Sequence, residues 1–261
     1  MTNKQQEIVD LVHKYRFINR IQIQRSLKHK DARRINSWLK ELTEWGYLGR
    51  IYSNKLLENT KPAIYYLSTE GIAYLKEYKH FSINEVKKFY EDKNRSQTFI
   101  DHCVFVCELL TGLKTYDNEI RTYKILTKEQ LTRNEHLKEL KPDAYIELYK
   151  KKTKRSKEAE IYSRNFLDLF DSGVPRYAIR YRINQYIKYH EEESWKEYAN
   201  IFPFILLIFP TKQKQNQFAK YIRKELTEGL FTQGMAFLLT TYQKTKEQGL
   251  TSGIWQEVKE E

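Results

Sequence analysis

The stretch Asp31-Ala32-Arg33-Arg34-Ile35-Asn36-Ser37-Trp38-Leu39-Lys40-Glu41-Leu42-Thr43-Glu44-Trp45-Gly46 carries two patterns at once. Ile35, Trp38, Leu39, Leu42 and Trp45 recur at helical spacing and predict one apolar stripe facing a core. Arg33, Arg34, Asn36, Ser37 and Lys40 fall on the outer face of the same helix. Asp31 is suited to cap its first turn, and Gly46 to end it in the left-handed conformation. Arg and Asn side chains have the donor geometry to read guanine and adenine edges in a major groove. A plain solvated helix face is also rich in Lys and Arg, so the flanking elements decide between the two readings.

Upstream, residues 4–15 place Ile8, Leu11, Val12 and Tyr15 at helical spacing, and Asn19 can cap a short second helix with Ile23 and Leu27 inward. Downstream, residues 47–53 and 62–67 read as two strands around a polar loop, followed by a helix over 69–79 with Ile72 and Leu75 inward. Helix, helix, helix, strand, loop, strand, helix is the order of a winged helix-turn-helix, expected over residues 1–80. Lys55 and Lys61 flank the wing and are expected over the adjacent phosphates or minor groove.

The charge balance agrees with that expectation. Forty-six Lys and Arg against 34 Asp and Glu give a net charge of +12 on 261 residues, an excess that favours polyanionic partners. The longest apolar run, residues 201–209, is interrupted by Pro203 and is far below the roughly 20 residues a membrane span needs. No apolar segment follows Met1, so a cytoplasmic protein without a membrane partner is expected. Cys103 and Cys107 sit four apart on one helix face and read as small hydrophobes in a reducing compartment, not as metal ligands.

Residues 81–116 read as a helical connector, broken by a polar stretch at 92–96. From 117 to 261 the pattern turns to a mixed α/β domain. Residues 117–126, 144–149 and 160–170 read as strands, the last two as the arms of a hairpin. The tip between them carries Lys150, Lys151, Lys152, Lys154, Arg155 and Lys157, expected to project into solvent. Pro175 opens a helix at its first position and carries it to about His190. Residues 201–209 read as a central strand, 213–226 as an amphipathic helix and 237–241 as a last strand, with Trp255 packing down the tail.

Several short motifs stand out: Tyr65-Tyr66-Leu67-Ser68-Thr69-Glu70-Gly71, His102 in an apolar helix, Lys141-Pro142-Asp143-Ala144 and Phe166-Leu167-Asp168-Leu169-Phe170-Asp171. Tyr186-Ile187-Lys188-Tyr189, Phe202-Pro203 and Ile254-Trp255 extend the set over nearly the whole chain. Together they resemble the replication-relaxation family of plasmid and phage proteins. The resemblance implies a winged-helix DNA binder associated with plasmid replication, relaxation and conjugative transfer.

The second domain also carries an enzyme reading. A Pro-Asp opening one strand, then an acidic strand, is the layout of the PD-(D/E)xK nuclease fold, whose acids hold Mg²⁺ and whose Lys positions the attacking water. Asp143 and Asp168 fit the acids, and Glu119 offers a third carboxylate. The Lys is missing, because Phe170 stands two residues after Asp168. Arg182, with Arg180 and Lys188 as further candidates, can replace its charge but is a poor general base. Gln185 and Tyr189 echo a helix motif of RecB-like nucleases. In the plain reading Asp143 caps a turn, and Asp168 and Asp171 are sheet-end acids. No G-x-x-x-x-G-K-[ST] loop is present, and the six histidines form no cluster beside a candidate nucleophilic Tyr.

The expected architecture is therefore α+β: an N-terminal winged helix-turn-helix, then a mixed α/β domain resembling a degenerate PD-(D/E)xK nuclease fold. The expected function is sequence-specific binding of double-stranded DNA at an origin, transfer origin or promoter, without catalysis and without a cofactor. The alternatives are a Mg²⁺-dependent nuclease using Glu119, Asp143, Asp168 and Arg182, and a scaffold that recruits a replicase or relaxase. Beyond double-stranded DNA, a replication or relaxase protein and a second copy of the chain in a homodimer are the candidate partners.

Overall fold

The computed structural model describes residues 1–52, 61–150, 160–229, 232–251 and 253–259. The chain divides into two compact units, Met1–Thr111 and Gly112–Glu261. Among the described residues there are ten α-helices and nine strands in two sheets, a mixed α/β architecture. No described helix is long and apolar enough to cross a membrane.

The first unit starts with α1 (Asn3–Tyr15), β1 (Ile18–Asn19), α2 (Arg20–Ser26) and α3 (Ala32–Glu44). It continues with β2 (Leu48–Ile51), β3 (Ile64–Leu67), α4 (Thr69–Tyr78), α5 (Ile83–Tyr90) and most of α6 (Gln97–Lys114). Residues 53–60, and with them Lys55, lie outside the described residues. Side chains set the helix starts. Asn19 accepts from the Gln22 backbone N–H at 3.0 Å while Gln22 answers through its own amide, a reciprocal cap. Asp31 accepts from the Arg33 and Arg34 backbone at the start of α3, and Gly46 ends the turn after it at φ +75°.

The structure adds β1, which sequence pattern does not disclose. Its two residues pair antiparallel with β3, giving a small sheet in the order β1-β3-β2. Three inward assignments change, one of them Leu27, which is only half-buried as the C-cap residue of α2. Val9, not Leu11, joins Ile8 and Val12 in the core, and Trp45 is 48% exposed because it is the C-cap residue, where the chain leaves the helical path. Ile35, Trp38, Leu39 and Leu42 are buried as expected.

One ion pair organises the interior of this unit. Arg16, at the left-handed end of α1 with φ +63°, is buried and pairs with the buried Asp92 in the 3-10 turn Asp92–Asn94. Its guanidinium also lies 4.7 Å from the Phe99 ring. Cys107 is buried and Cys103 half-buried on α6; burial pushes the Cys107 thiol well above its ordinary value, so it packs as a neutral group.

The second unit begins with β4 (Arg121–Thr127), α7 (Lys128–Leu131), β5 (Ala144–Lys150) and β6 (Glu160–Leu169). Then come α8 (Arg176–Glu191), β7 (Phe204–Phe209), α9 (Lys212–Glu228), β8 (Phe237–Thr241), α10 (Tyr242–Gln248) and β9 (Gln256–Val258). They form one sheet in the order β4-β5-β6-β7-β8-β9. β5 and β6 are the antiparallel arms expected, and β6, β7 and β8 run parallel, connected by α8 and α9. Both helices contribute to one apolar cluster, with Ile179, Ile183 and Tyr186 from α8 and Phe218, Ile222 and Leu226 from α9. β7 has five consecutive buried residues, as a central parallel strand requires.

Two expectations are corrected here. Residues 237–241 are not the last strand, since β9 returns antiparallel against β8 and holds the tail. Pro175 stands at the N-cap with extended ψ 151°, one residue before the helix, because its fixed φ of −65° suits either position. The basic tip from 151 to 159 lies outside the described residues, and Lys150 ends β5.

Removing Asp92 leaves the Arg16 charge buried without its main carboxylate. Asp92→Ala is expected to cost about 3–5 kcal/mol of stability, measured by denaturant unfolding of the full chain. A loss below about 1 kcal/mol would show that water reaches Arg16 freely.

Candidate nucleic-acid interface

The outer face of α3 presents Arg33, Arg34, Asn36 and Lys40 to solvent, all exposed. Ser37 behaves differently. It is half-buried and donates to Glu41 at 2.8 Å, and the other oxygen of Glu41 accepts from the buried Gln5 side chain at 2.7 Å. Ser37 thus helps tie α3 to α1, while its neighbours remain outward. Arg34 lies 5.4 Å from the Trp38 ring, on the flank of the face, and Lys40 meets Glu44 at 3.7 Å.

A groove of about 600 Å³ runs between α3 and the small sheet. Asn36, Lys40 and Glu44 line it from α3, Arg20 from the start of α2, and Arg50 with Tyr52 and Lys61 from the strand side. The Arg50 guanidinium rests 4.7 Å from the Tyr52 ring, which holds it against the groove wall. Four cations against one carboxylate make this concavity electropositive. Arg20 and Arg50 are absent from the sequence-based set, because each lies on a different element and only the fold brings them to α3.

In the second unit the structure brings Asp143, Asp168 and Arg182 together. Pairing of Ala144 with Leu167 sets Asp143 beside Asp168, and the backbone N–H of Asp143 donates to Asp168 Oδ1 at 3.1 Å. Leu169 N–H donates back to Asp143 Oδ2 at 3.0 Å. Arg182 Nε meets Asp168 Oδ2 at 2.5 Å, its Nη2 reaches Oδ1 at 3.3 Å, and its Nη1 donates to the Leu140 carbonyl. The buried Tyr186 hydroxyl donates to Asp168 Oδ2 at 2.7 Å. Lys128, 56% exposed, stands 3.5 Å from Asp143 Oδ1.

The electrostatics follow from this packing. Burial works against the Arg182 charge, but Asp168 outweighs it and raises the guanidinium above its ordinary value. Asp143 likewise raises the Lys128 ammonium against its desolvation. Burial drives the Tyr186 phenol up, so it stays a neutral donor.

Such saturated carboxylates do not fit a Mg²⁺ site. Both oxygens of Asp168 already accept from Arg182, and those of Asp143 face Lys128 and the Leu169 amide. Mg²⁺ demands near-octahedral oxygen ligands and would have to displace a guanidinium. Among the described residues no group of three or more His, Cys, Asp or Glu is placed to hold a metal.

Glu119 is not brought to this site. It is exposed two residues before β4, whose Arg121 pairs with Lys150, whereas the acids lie beside Ala144 at the other end of β5. At about 3.3 Å per residue that separation is about 20 Å. Phe170, where a nuclease pattern wants Lys, is buried against Phe209 with ring centroids 5.3 Å apart. Gln185 accepts from Arg182 at 3.2 Å, and Tyr189 donates to the His136 carbonyl at 3.0 Å. Arg180 lies over Tyr221 and Lys188 pairs with Glu192. Asp171 is half-buried after the end of β6. Tyr186 and Lys128 are the partners that sequence reasoning missed. Tyr186 had a signal, since it lies one helical turn beyond Arg182.

Compared with known proteins, residues 9–205 match a family model described as Replication-relaxation. No curated protein and no solved structure matches the chain.

Arg182→Ala is expected to destabilise the chain by about 3–5 kcal/mol, because it leaves Asp168 buried without its cation. Arg182→Lys should recover less than half of that loss, since an ammonium cannot hold both Asp168 oxygens and the Leu140 carbonyl at once. Thermal and denaturant unfolding of the two variants measure the difference.

Proposed function

The chain belongs to the replication-relaxation family, and on that premise we propose that it binds double-stranded DNA sequence-specifically in plasmid or phage replication, relaxation or transfer. The observation that carries this reading is the pairing of two features. The outer face of α3 is free and basic, and a groove lined by Arg20, Lys40, Arg50 and Lys61 adjoins it. The order α1, β1, α2, α3, β2, β3, with its small three-stranded sheet, supports reading the first unit as a winged helix-turn-helix. In that arrangement α3 enters the major groove and the strand side meets the flanking backbone.

Roles divide by chemistry. Arg33, Asn36 and Lys40 lie along the outermost line of α3 and address base edges. Arg34, held toward Trp38, reaches the phosphates beside them. Arg20, Arg50 and Lys61 neutralise backbone charge without reading sequence. Ser37 acts through Glu41 and Gln5 as a positioning residue for the helix.

We further propose that the second unit works without strand cleavage and without a bound metal. Asp143 and Asp168 are engaged by Arg182, Lys128, Tyr186 and backbone N–H groups, so they act as the structural lock of the sheet end. Recruitment of a replication or relaxase protein, and pairing of two copies on a symmetric site, fit the same reading as further steps.

Arg33→Ala and Asn36→Ala should each cost about 1–3 kcal/mol on the specific duplex and little on a scrambled one, at matched salt. Lys61→Ala should weaken both duplexes alike and reduce the salt slope by about 1. Fragments selected from a replicon supply the specific site, and unchanged affinities in all three variants would turn the face into a protein-docking surface.

Supercoiled plasmid is expected to remain intact with the purified chain and Mg²⁺ or Mn²⁺. Nicking that vanishes in both Asp143→Ala and Asp168→Ala, with folding retained, would restore the nuclease reading.

A further inference from the structure

The two crossover helices of the second unit carry an unusual outer surface. Residues 176–190 and 212–224 contain no Asp or Glu, yet they hold Arg176, Arg180, Arg182, Lys188, Lys212, Lys214, Lys220, Arg223 and Lys224. Arg182 turns inward to Asp168, and the rest of the charge stays on or near the surface. α8 and α9 lie side by side: Tyr221 of α9 donates to Asn184 of α8 at 2.9 Å, and Arg180 rests 5.1 Å from the Tyr221 ring.

Two aromatic rings stand on this basic surface. Tyr177 is 76% exposed and Tyr181 67% exposed, one helical turn apart on α8. They are not needed for packing, because Ile179, Ile183, Tyr186 and Tyr189 supply the buried stripe of the same helix. Neither ring has a hydrogen bond or ring contact among the described residues. Arg176 and Arg180 lie about 100° around the helix from Tyr177 and Tyr181, on the flank of the same exposed surface. Neither Arg176 nor Lys220 is paired with a carboxylate among the described residues.

We propose that this face of α8, with the adjoining side of α9, binds single-stranded nucleic acid. Flat exposed rings beside cations suit unpaired bases, whose faces are free to stack while the phosphates meet Arg and Lys. The Cα positions of the two tyrosines are about 6 Å apart along the helix axis, within the span of neighbouring nucleotides of one strand. A duplex hides its base faces inside the stack and leaves two tyrosine rings no face to stack on. α8 and α9 belong to the second unit and α3 to the first, and the proposal stands whether or not α3 reads duplex DNA.

Fluorescence anisotropy of the full chain with labelled oligothymidylate and with a labelled scrambled duplex, at matched salt, tests this. Tyr177→Ala combined with Tyr181→Ala should weaken oligothymidylate binding at least about tenfold and leave duplex binding within about twofold. Tyr177→Phe with Tyr181→Phe should retain single-strand affinity, since the ring and not the hydroxyl does the stacking. Arg176→Ser with Lys220→Ser should flatten the single-strand salt dependence. Arg33→Ala with Arg34→Ala on α3 should leave oligothymidylate binding intact. Three results would overturn the proposal: no oligothymidylate binding by the unaltered chain, unchanged affinity in the double alanine variant, or equal losses on single strand and duplex. Circular dichroism of each variant confirms that these exposed substitutions leave the fold in place.

Discussion

The contact between Arg182 and Asp168 is the constraint on which the second unit depends. Asp143, just before β5, and Asp168 on β6 are both buried; the Asp143 N–H donates to the Asp168 carboxylate and the Leu169 N–H to the Asp143 carboxylate. Such a pair is tolerable only with a cation supplied from elsewhere in the chain. Arg182 supplies it from α8 and at the same time caps the Leu140 carbonyl. One guanidinium therefore fixes the ends of β5 and β6, the seat of α8 on the sheet, and the course of the chain before Pro142. The Tyr186 hydroxyl completes the set from one turn further along the helix.

Charge is used in opposite ways in the two units. In the first, Arg16 and Asp92 neutralise each other inside, and the cations of α3 are left outward, with Glu41 turned toward Gln5 and Glu44 meeting Lys40. In the second, Asp143 and Asp168 are turned inward and satisfied, and residues 176–190 of α8 and 212–224 of α9 hold no acid, so long stretches of those helices are basic. A net charge of +12 attracts polyanions at long range, and its reach shrinks with salt. What distinguishes one face from another is then local. α3 offers Asn36 and guanidinium forks, whereas α8 offers rings.

The elements legible in sequence are those with their own strong periodicity. The stripe Ile35, Trp38, Leu39 and Leu42, the polar break before α6, the apolar β7 and the start of α8 after Pro175 all follow from local rules. β1, α7 and β9 have two, four and three residues, too few to carry a period, and they exist because a partner strand or strand end receives them. The candidate sites divide the same way. A Pro-Asp and an acidic strand announced Asp143 and Asp168, and the missing Lys at Phe170 announced that the set was incomplete. That the gap is filled by an aromatic packed on Phe209 is a tertiary fact, as is the distance of Glu119 from the acids. Arg20 and Arg50 were illegible for the same reason, since nothing near either residue in sequence points toward α3.

The borders of the six-stranded sheet have a consequence for behaviour at high concentration. β4 and β9 are its outermost strands among the described residues. β9 is only three residues long and is followed by Lys259, and β4 carries Arg121 and Lys124. A sheet with three parallel strands and an apolar centre is a template on which further chains can add if its margins stay flat and uncharged. Here one margin is too short to grip an incoming strand and the other greets it with like charge. The two least conspicuous strands of the sheet thus guard it against adding strands from further chains.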